Sequence, residues 1–159
     1  MIQRRTELGM AMFLIAETVF FFLLILALIY FRIPRAGKLS VHSGAFDTAC
    51  LLASALTIWR ATTGSRRWLW ATILFGVLFL AGQGAQYVHL IHDGVTMSQG
   101  LFGTAFFTLA GVHGLHVLVG LIALGIVPGN AIRTMALYWY FLAGVWLAIF
   151  LVAYLWSAT

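Results

Sequence analysis

From Leu8 to Phe31 the chain runs without a basic residue and with one acid, Glu17. Crossing about 30 Å of hydrocarbon takes a helix of about 20 apolar residues, and a backbone in that setting must bond to itself. Four further apolar runs follow, at about 46–63, 68–90, 99–127 and 135–157. The chain of 159 residues is 63% hydrophobic and 8% charged, too little polar surface to cover a soluble domain. The expected fold class is therefore all-α: a polytopic membrane helix bundle of five transmembrane helices, forming one domain over 1–159.

The breaks between the runs fix the expected topology. The first run follows Arg4 and Arg5, as a secretory signal would. It exceeds the apolar stretch of a signal and has no Ala-x-Ala cleavage site, so it is expected to be a retained helix. A basic loop, RIPRAGKL, ends it at Pro34 and Gly37. The second run is the least apolar. Asp47 stands at its expected start, where a carboxylate can cap free amides, and Arg60 can snorkel from its far end. Gly64-Ser65-Arg66-Arg67 makes a turn before Trp68 and Trp70, an interfacial anchor. Pro128-Gly129-Asn130 breaks the fourth run from the fifth. Arg4, Arg5, Arg60, Arg66, Arg67 and Arg133 fall on one side, against Arg32, Arg35 and Lys38 on the other. That bias predicts the N-terminus inside and the C-terminus outside. The net charge of +5 lies in these short tracts, which suits topology and lipid headgroups, and no nucleic-acid partner is expected. Cys50 is the single cysteine, and no Cys-x-x-Cys-His stretch offers covalent haem attachment.

The chemistry concentrates in GVHGLHVLVG, residues 111–120. His113 and His116 are three apart, so a helix puts both on one face, with Gly120 continuing it and Gly111 and Gly114 thinning its flank. Polar groups among small residues at membrane depth point to a helix–helix seam. Glu17 needs protonation or a partner there, since a lone charge in hydrocarbon is costly. Glu17 with His113 or His116 reads either as a proton-linked or lipid-linked site, or as a clamp holding the first and fourth spans in register. Gln83, Gln86 and Tyr87 form a secondary polar face on the third span. His113 and His116 share a face and cannot be the two axial ligands of one haem. His89 and His92 sit at a membrane edge and His42 in a loop. No third ligand suggests copper or zinc, so no metal site is expected. Phe20, Phe21, Phe22, Phe106, Phe107, Trp139, Tyr140 and Trp146 read as groove fillers and interface markers, with a gas or quinone path as the sharper alternative. A small multidrug pump would share the acid but usually has four spans, and five spans do not divide into two equal inverted repeats.

These stretches together resemble cytochrome c oxidase subunit III of the haem-copper oxidases. The first span, GMAMFLIAETVFFF, is similar to that family's helix with a Glu before a Phe-rich turn. FDTACLLASALTIWRA resembles its Asn-Thr-x-x-Leu-x-x-Ser stretch, with Asp47 where Asn is common. The block from Asp93 through Gly103 and Phe107 to HGLHVLVG is the most specific match, and YWYFLAGVW the loosest.

The resemblance implies an accessory subunit, not an enzyme on its own, without a cofactor of its own, beside a catalytic subunit I and other oxidase subunits. That partner holds haem and copper and reduces oxygen with proton translocation in aerobic respiration. It also implies structural phospholipid and a bacterial cytoplasmic membrane. Glu17 takes the place of an intramembrane, carbodiimide-reactive Glu, and His113 and His116 that of a His-Gly-x-His pair. Glu17, His116 and Arg133 become the expected lipid contacts. Three departures stand out: the chain resembles a five-helix form rather than the seven-helix one, Gln86 stands where the family's Gln-x-x-Glu-Tyr has its acid, and Tyr140-Phe141-Leu142-Ala143 replaces His-Phe-x-Asp. Glu17 is then expected to be the only acid at mid-membrane depth. The equivalent subunit of a quinol oxidase or nitric oxide reductase, and a small proton-coupled transporter acting alone, are the alternatives.

Overall fold

The computed structural model describes residues 2–30, 41–93 and 101–155. It contains five α-helices: α1 (Ile2–Tyr30), α2 (Val41–Thr63), α3 (Arg67–His92), α4 (Leu101–Ile126) and α5 (Ile132–Phe150). A 3₁₀ turn (Gly129–Ala131) precedes α5, and a π-helical turn (Leu151–Leu155) extends it. The loop with Arg32, Pro34, Arg35, Gly37 and Lys38, the segment with Gly94, and Ser157 lie outside the described residues.

The chain breaks where its chemistry requires. Pro128 is extended, with φ −68° and ψ 152°, and has no amide hydrogen to continue α4. The Ala131 amide then closes a turn onto the Pro128 carbonyl at 2.9 Å. Between α2 and α3, the Trp68 amide donates to the Ser65 carbonyl at 3.1 Å, and Ser65 Oγ accepts from the Arg67 amide at 3.3 Å. So short a turn forces α2 and α3 into an antiparallel pair, the most extensive contact in the bundle.

Four helices, α1, α3, α4 and α5, are long and apolar enough to cross a membrane. The exception is α2, the stretch expected to be weakest, and its burial explains why. Asp47, Thr48, Ser54 and Thr57 are buried, whereas Phe46, Leu52, Leu56 and Trp59 face outward. Its polar groups lower the average, but they point into the bundle. The expected start of this span at residue 46 is corrected: the helix begins at Val41. His42 is therefore an exposed helical residue rather than a loop residue. Asp47 lies two turns inside α2, 1% exposed, and does not cap it. Its carboxyl is turned sideways onto α3.

The core gathers around α5, which packs on α2, α4 and α1. The Trp139 indole, fully buried, donates its N–H to Ser54 Oγ on α2 at 2.8 Å. One edge of its six-membered ring lies over Gly76 of α3 and another over Gly120 of α4. A Cβ at Gly76 would stand 3.1 and 3.2 Å from that ring, and one at Gly120 would stand 3.0 Å from it. Glycine suits both places, because an added Cβ would press the indole by a few tenths of an ångström. Trp146 repeats the device seven residues on, donating to Thr48 Oγ1 at 3.1 Å while Phe79 meets its ring edge-on. Phe21, Phe106 and Phe107 are also buried, as groove fillers would be, whereas Phe20, Phe22 and Tyr140 are exposed.

Candidate functional site

Polar side chains tie almost every pair of neighbouring helices. Thr57 and Thr72 hydroxyls meet at 2.9 Å between α2 and α3. Tyr87 donates to the Phe107 carbonyl at 3.0 Å between α3 and α4. Tyr138 donates to the His116 carbonyl at 3.0 Å between α5 and α4. In hydrocarbon such bonds are worth about 0.6 kcal/mol each on average, and they set which helix faces which.

The first helix joins α4 through a polar contact in its middle. Glu17 Oε2 on α1 lies 3.2 Å from His116 Nε2 on α4, each side chain about a fifth exposed. The oxygen lies off the line of an aligned hydrogen bond, so this is an ion-pair contact rather than a linear bond. His116 Nδ1 is 2.8 Å from the Val112 carbonyl. A carbonyl can only accept, so Nδ1 carries a hydrogen. Nε2 is then the nitrogen turned toward Glu17. Phe21 is set edge-on to the His116 ring at 5.2 Å, and Phe13 stands 6.2 Å from the Tyr138 ring. Of the two histidines weighed against Glu17, His116 is the one in contact with it.

His113 is not its partner. It is fully buried, stacked on Trp146 at 5.5 Å, with Phe79 and Phe21 edge-on at 5.9 and 6.1 Å. Neither ring nitrogen has a hydrogen-bond partner among the described residues. Three positions carry an i, i+3 pair far enough round the helix to separate a solvent-edge imidazole from a core one. Arg133 is exposed on the first turn of α5 and makes neither a hydrogen bond nor an ion pair to Glu17 or His116.

The expected secondary polar face divides among three neighbours. Gln83 is buried and places Oε1 against Gly114 of α4. Tyr87 bonds to α4 and lies against Gly111. Gln86 turns the other way and donates from Nε2 to Asp47 Oδ2 at 2.8 Å, while Tyr154 of the π turn donates to its Oε1. Asp47 is an acid inside the bundle besides Glu17, rather than the helix cap expected of it. Sequence reasoning misplaced it because an acid near the start of an apolar run looks like a cap. Its signal was Gly82: the carboxyl occupies the space a Cβ would take there. The two departures at positions 47 and 86, read separately in the sequence, fall on side chains that touch. Among the described residues no three His, Cys, Asp or Glu side chains gather as metal ligands would.

Fold and site define a helical integral membrane protein whose buried polar groups join one helix to the next. A sequence model of the family described as cytochrome c oxidase subunit III matches residues 41–158, from α2 onward. A protein of Nocardia farcinica, named a probable cytochrome c oxidase subunit 3, is 34% identical over 141 residues, covering 76% of this chain and 70% of that one. The cytochrome bo(3) ubiquinol oxidase subunit 3 of Pseudomonas aeruginosa is 35% identical, over 70% of this chain and 63% of its own length. The cytochrome c oxidase subunit 3 of Synechocystis sp. is 31% identical over 92% of this chain and 74% of its own, a span that takes in part of α1. The chain belongs to the cytochrome c oxidase subunit III family and is a subunit of a haem-copper oxidase.

Proposed function

We propose that this chain is the accessory, non-catalytic subunit that steadies the catalytic subunit and binds phospholipid beside α1. The observation that carries the reading is the Glu17–His116 contact. It is a polar link of a helix that packs on α4, α5 and the π turn. It leaves most of α1, including Leu8, Met12, Ile15, Val19 and Leu23, open on the outside. A partly exposed Glu–His pair on the edge of an apolar wall suits a lipid headgroup better than a buried proton wire. Arg133, at the start of α5, is the cation that would meet a phosphate at the interface.

On this reading all five helices cross the membrane, α2 included, with the N-terminus inside, in a bacterial cytoplasmic membrane. Haem and copper reside in the partner catalytic subunit, and reduction of oxygen occurs there. This chain contributes packing, lipid and support of turnover. Relatives named for both cytochrome c and ubiquinol oxidases support a role that does not depend on the electron donor.

The test is lipid retention by the purified oxidase. Replacing Glu17, His116 and Arg133 by alanine together is expected to lower the phospholipid that co-purifies and to shorten the period of full turnover. Unchanged lipid and turnover would remove the lipid role.

A further inference from the structure

We propose that Asp47, with Gln86 and Tyr154, is an internal proton-binding site in which the carboxyl is carried as the neutral acid. The site is separate from the Glu17–His116 pair: it lies toward the end of the bundle where α2 begins and α3 stops, between α2, α3 and the π turn.

Asp47 is 1% exposed, and among the described residues no Lys, Arg or His forms an ion pair with it. The titratable groups that interact with it are Cys50 on its own helix and Tyr154 in the π turn, neither of them a cation. A carboxylate has about four acceptor positions. Here one side-chain amide, Gln86 Nε2, serves Oδ2, and Oδ1 has no hydrogen-bond partner. The α2 amides cannot help, since they are engaged within the helix. Oδ1 instead lies in the space a Cβ of Gly82 would fill, where no hydrogen-bond donor meets it. An uncompensated charge in such a place is removed by taking up a proton.

The bonds around the site run in one direction. Tyr154 donates to Gln86, and Gln86 donates to Asp47. The Tyr154 ring lies against Gly44, so a glycine on α2 and another on α3 make room for the two ends of this chain of bonds. The same geometry serves an acid on either helix, because a carboxyl and a carboxamide are nearly the same shape.

The full-length chain has two aspartates, Asp47 and Asp93, and Asp93 is exposed. Carbon-13 labelling of the aspartate side-chain carboxyls, in chain held in lipid nanodiscs at neutral pH, therefore separates them by infrared spectroscopy. The expected spectrum has one labelled acid carbonyl band and one set of labelled carboxylate bands, and Asp47→Asn loses the acid band alone. Two carboxylates in the unsubstituted chain, or an acid band that survives Asp47→Asn, would overturn the proposal. If Asp47→Asn does not fold, the unsubstituted spectrum decides by itself. The exchanged variant Asp47→Asn with Gln86→Glu then serves as the second reading: under glutamate labelling it is expected to show an acid band that the unsubstituted chain, labelled the same way, does not show.

Discussion

Adding a methyl group at Gly76 or at Gly120 should destabilise the bundle, and adding both should cost more than the sum. The Cβ of Gly76→Ala would stand 2.7 Å from Leu121 Cδ2, and 3.1 and 3.2 Å from the Trp139 ring. The leucine methyl can swing away. The ring has less freedom, because its N–H is fixed to Ser54 and its other edge lies on Gly120. The Cβ of Gly120→Ala would stand 3.0 Å from both Trp139 and Tyr138. Overpacking a tight site costs about 1–3 kcal/mol, while replacing a helical glycine by alanine returns about 0.4–1 kcal/mol through the unfolded chain. Each single change should therefore cost about 1 kcal/mol net, with Gly120 the costlier. In the double variant the indole is pressed from both edges, and a coupling of about 0.5 kcal/mol or more is expected. Gly84 and Gly125 have nothing within 4 Å of an added Cβ and serve as controls. Their alanine variants should be neutral or stabilised by up to about 1 kcal/mol. Thermal unfolding in detergent, followed by tryptophan fluorescence, reads all of these. If Gly76→Ala and Gly84→Ala shift the midpoint alike, or the double variant is simply additive, the wedged indole is not what holds the helices together.

The remaining predictions concern the polar ties. Ser54→Ala strands the buried Trp139 N–H and should cost about 1–3 kcal/mol by unfolding, more than Trp139's hydrogen bond is worth on average. Thr72→Val should stay within about 0.5 kcal/mol, because Thr57 keeps its bond to the Ser54 carbonyl of its own helix at 2.9 Å. A double-mutant cycle of Glu17→Ala and His116→Ala should give a coupling below about 1 kcal/mol, since both groups are partly exposed. A larger value would mean the pair is drier than its geometry implies. Gln86→Leu should cost about 1–3 kcal/mol, because it leaves Asp47 and Tyr154 both without their partner.

Much of this bundle is written in the residues themselves. Apolar runs, Pro128 and the Gly64–Arg67 turn place four helices to within a few residues at most ends. The first helix is the main exception: it begins at Ile2, because Gln3, Arg4, Arg5 and Glu7 are polar but good helix formers. The α2 helix shows where such reading stops. Hydropathy averages a helix around its whole circumference, so it cannot tell polar residues turned inward from polar residues in water. Periodicity does carry that information: Asp47, Ser54 and Ile58 recur at helical spacing on the buried face. At the candidate site, a histidine on the fourth span was legible as the partner of Glu17, but not which one. His113 and His116 differ in what covers them: Trp146 of α5 and Phe79 of α3 against the one, Tyr138 of α5 beside the other. That depends on how α5 rotates, which the spacing within α4 does not contain. The Asp47–Gln86 bond was hidden for the same reason, since it needs the register of α2 against α3.

Purification of this chain by a tag from its native membranes, in mild detergent, with a visible absorption spectrum of what is recovered, tests its role most directly. The account predicts a much larger complex that carries haem in a partner polypeptide, with this chain present in fixed proportion and separable from the haem by harsher detergent. Recovery of the chain by itself, colourless and moving a solute across vesicles unaided, would contradict it.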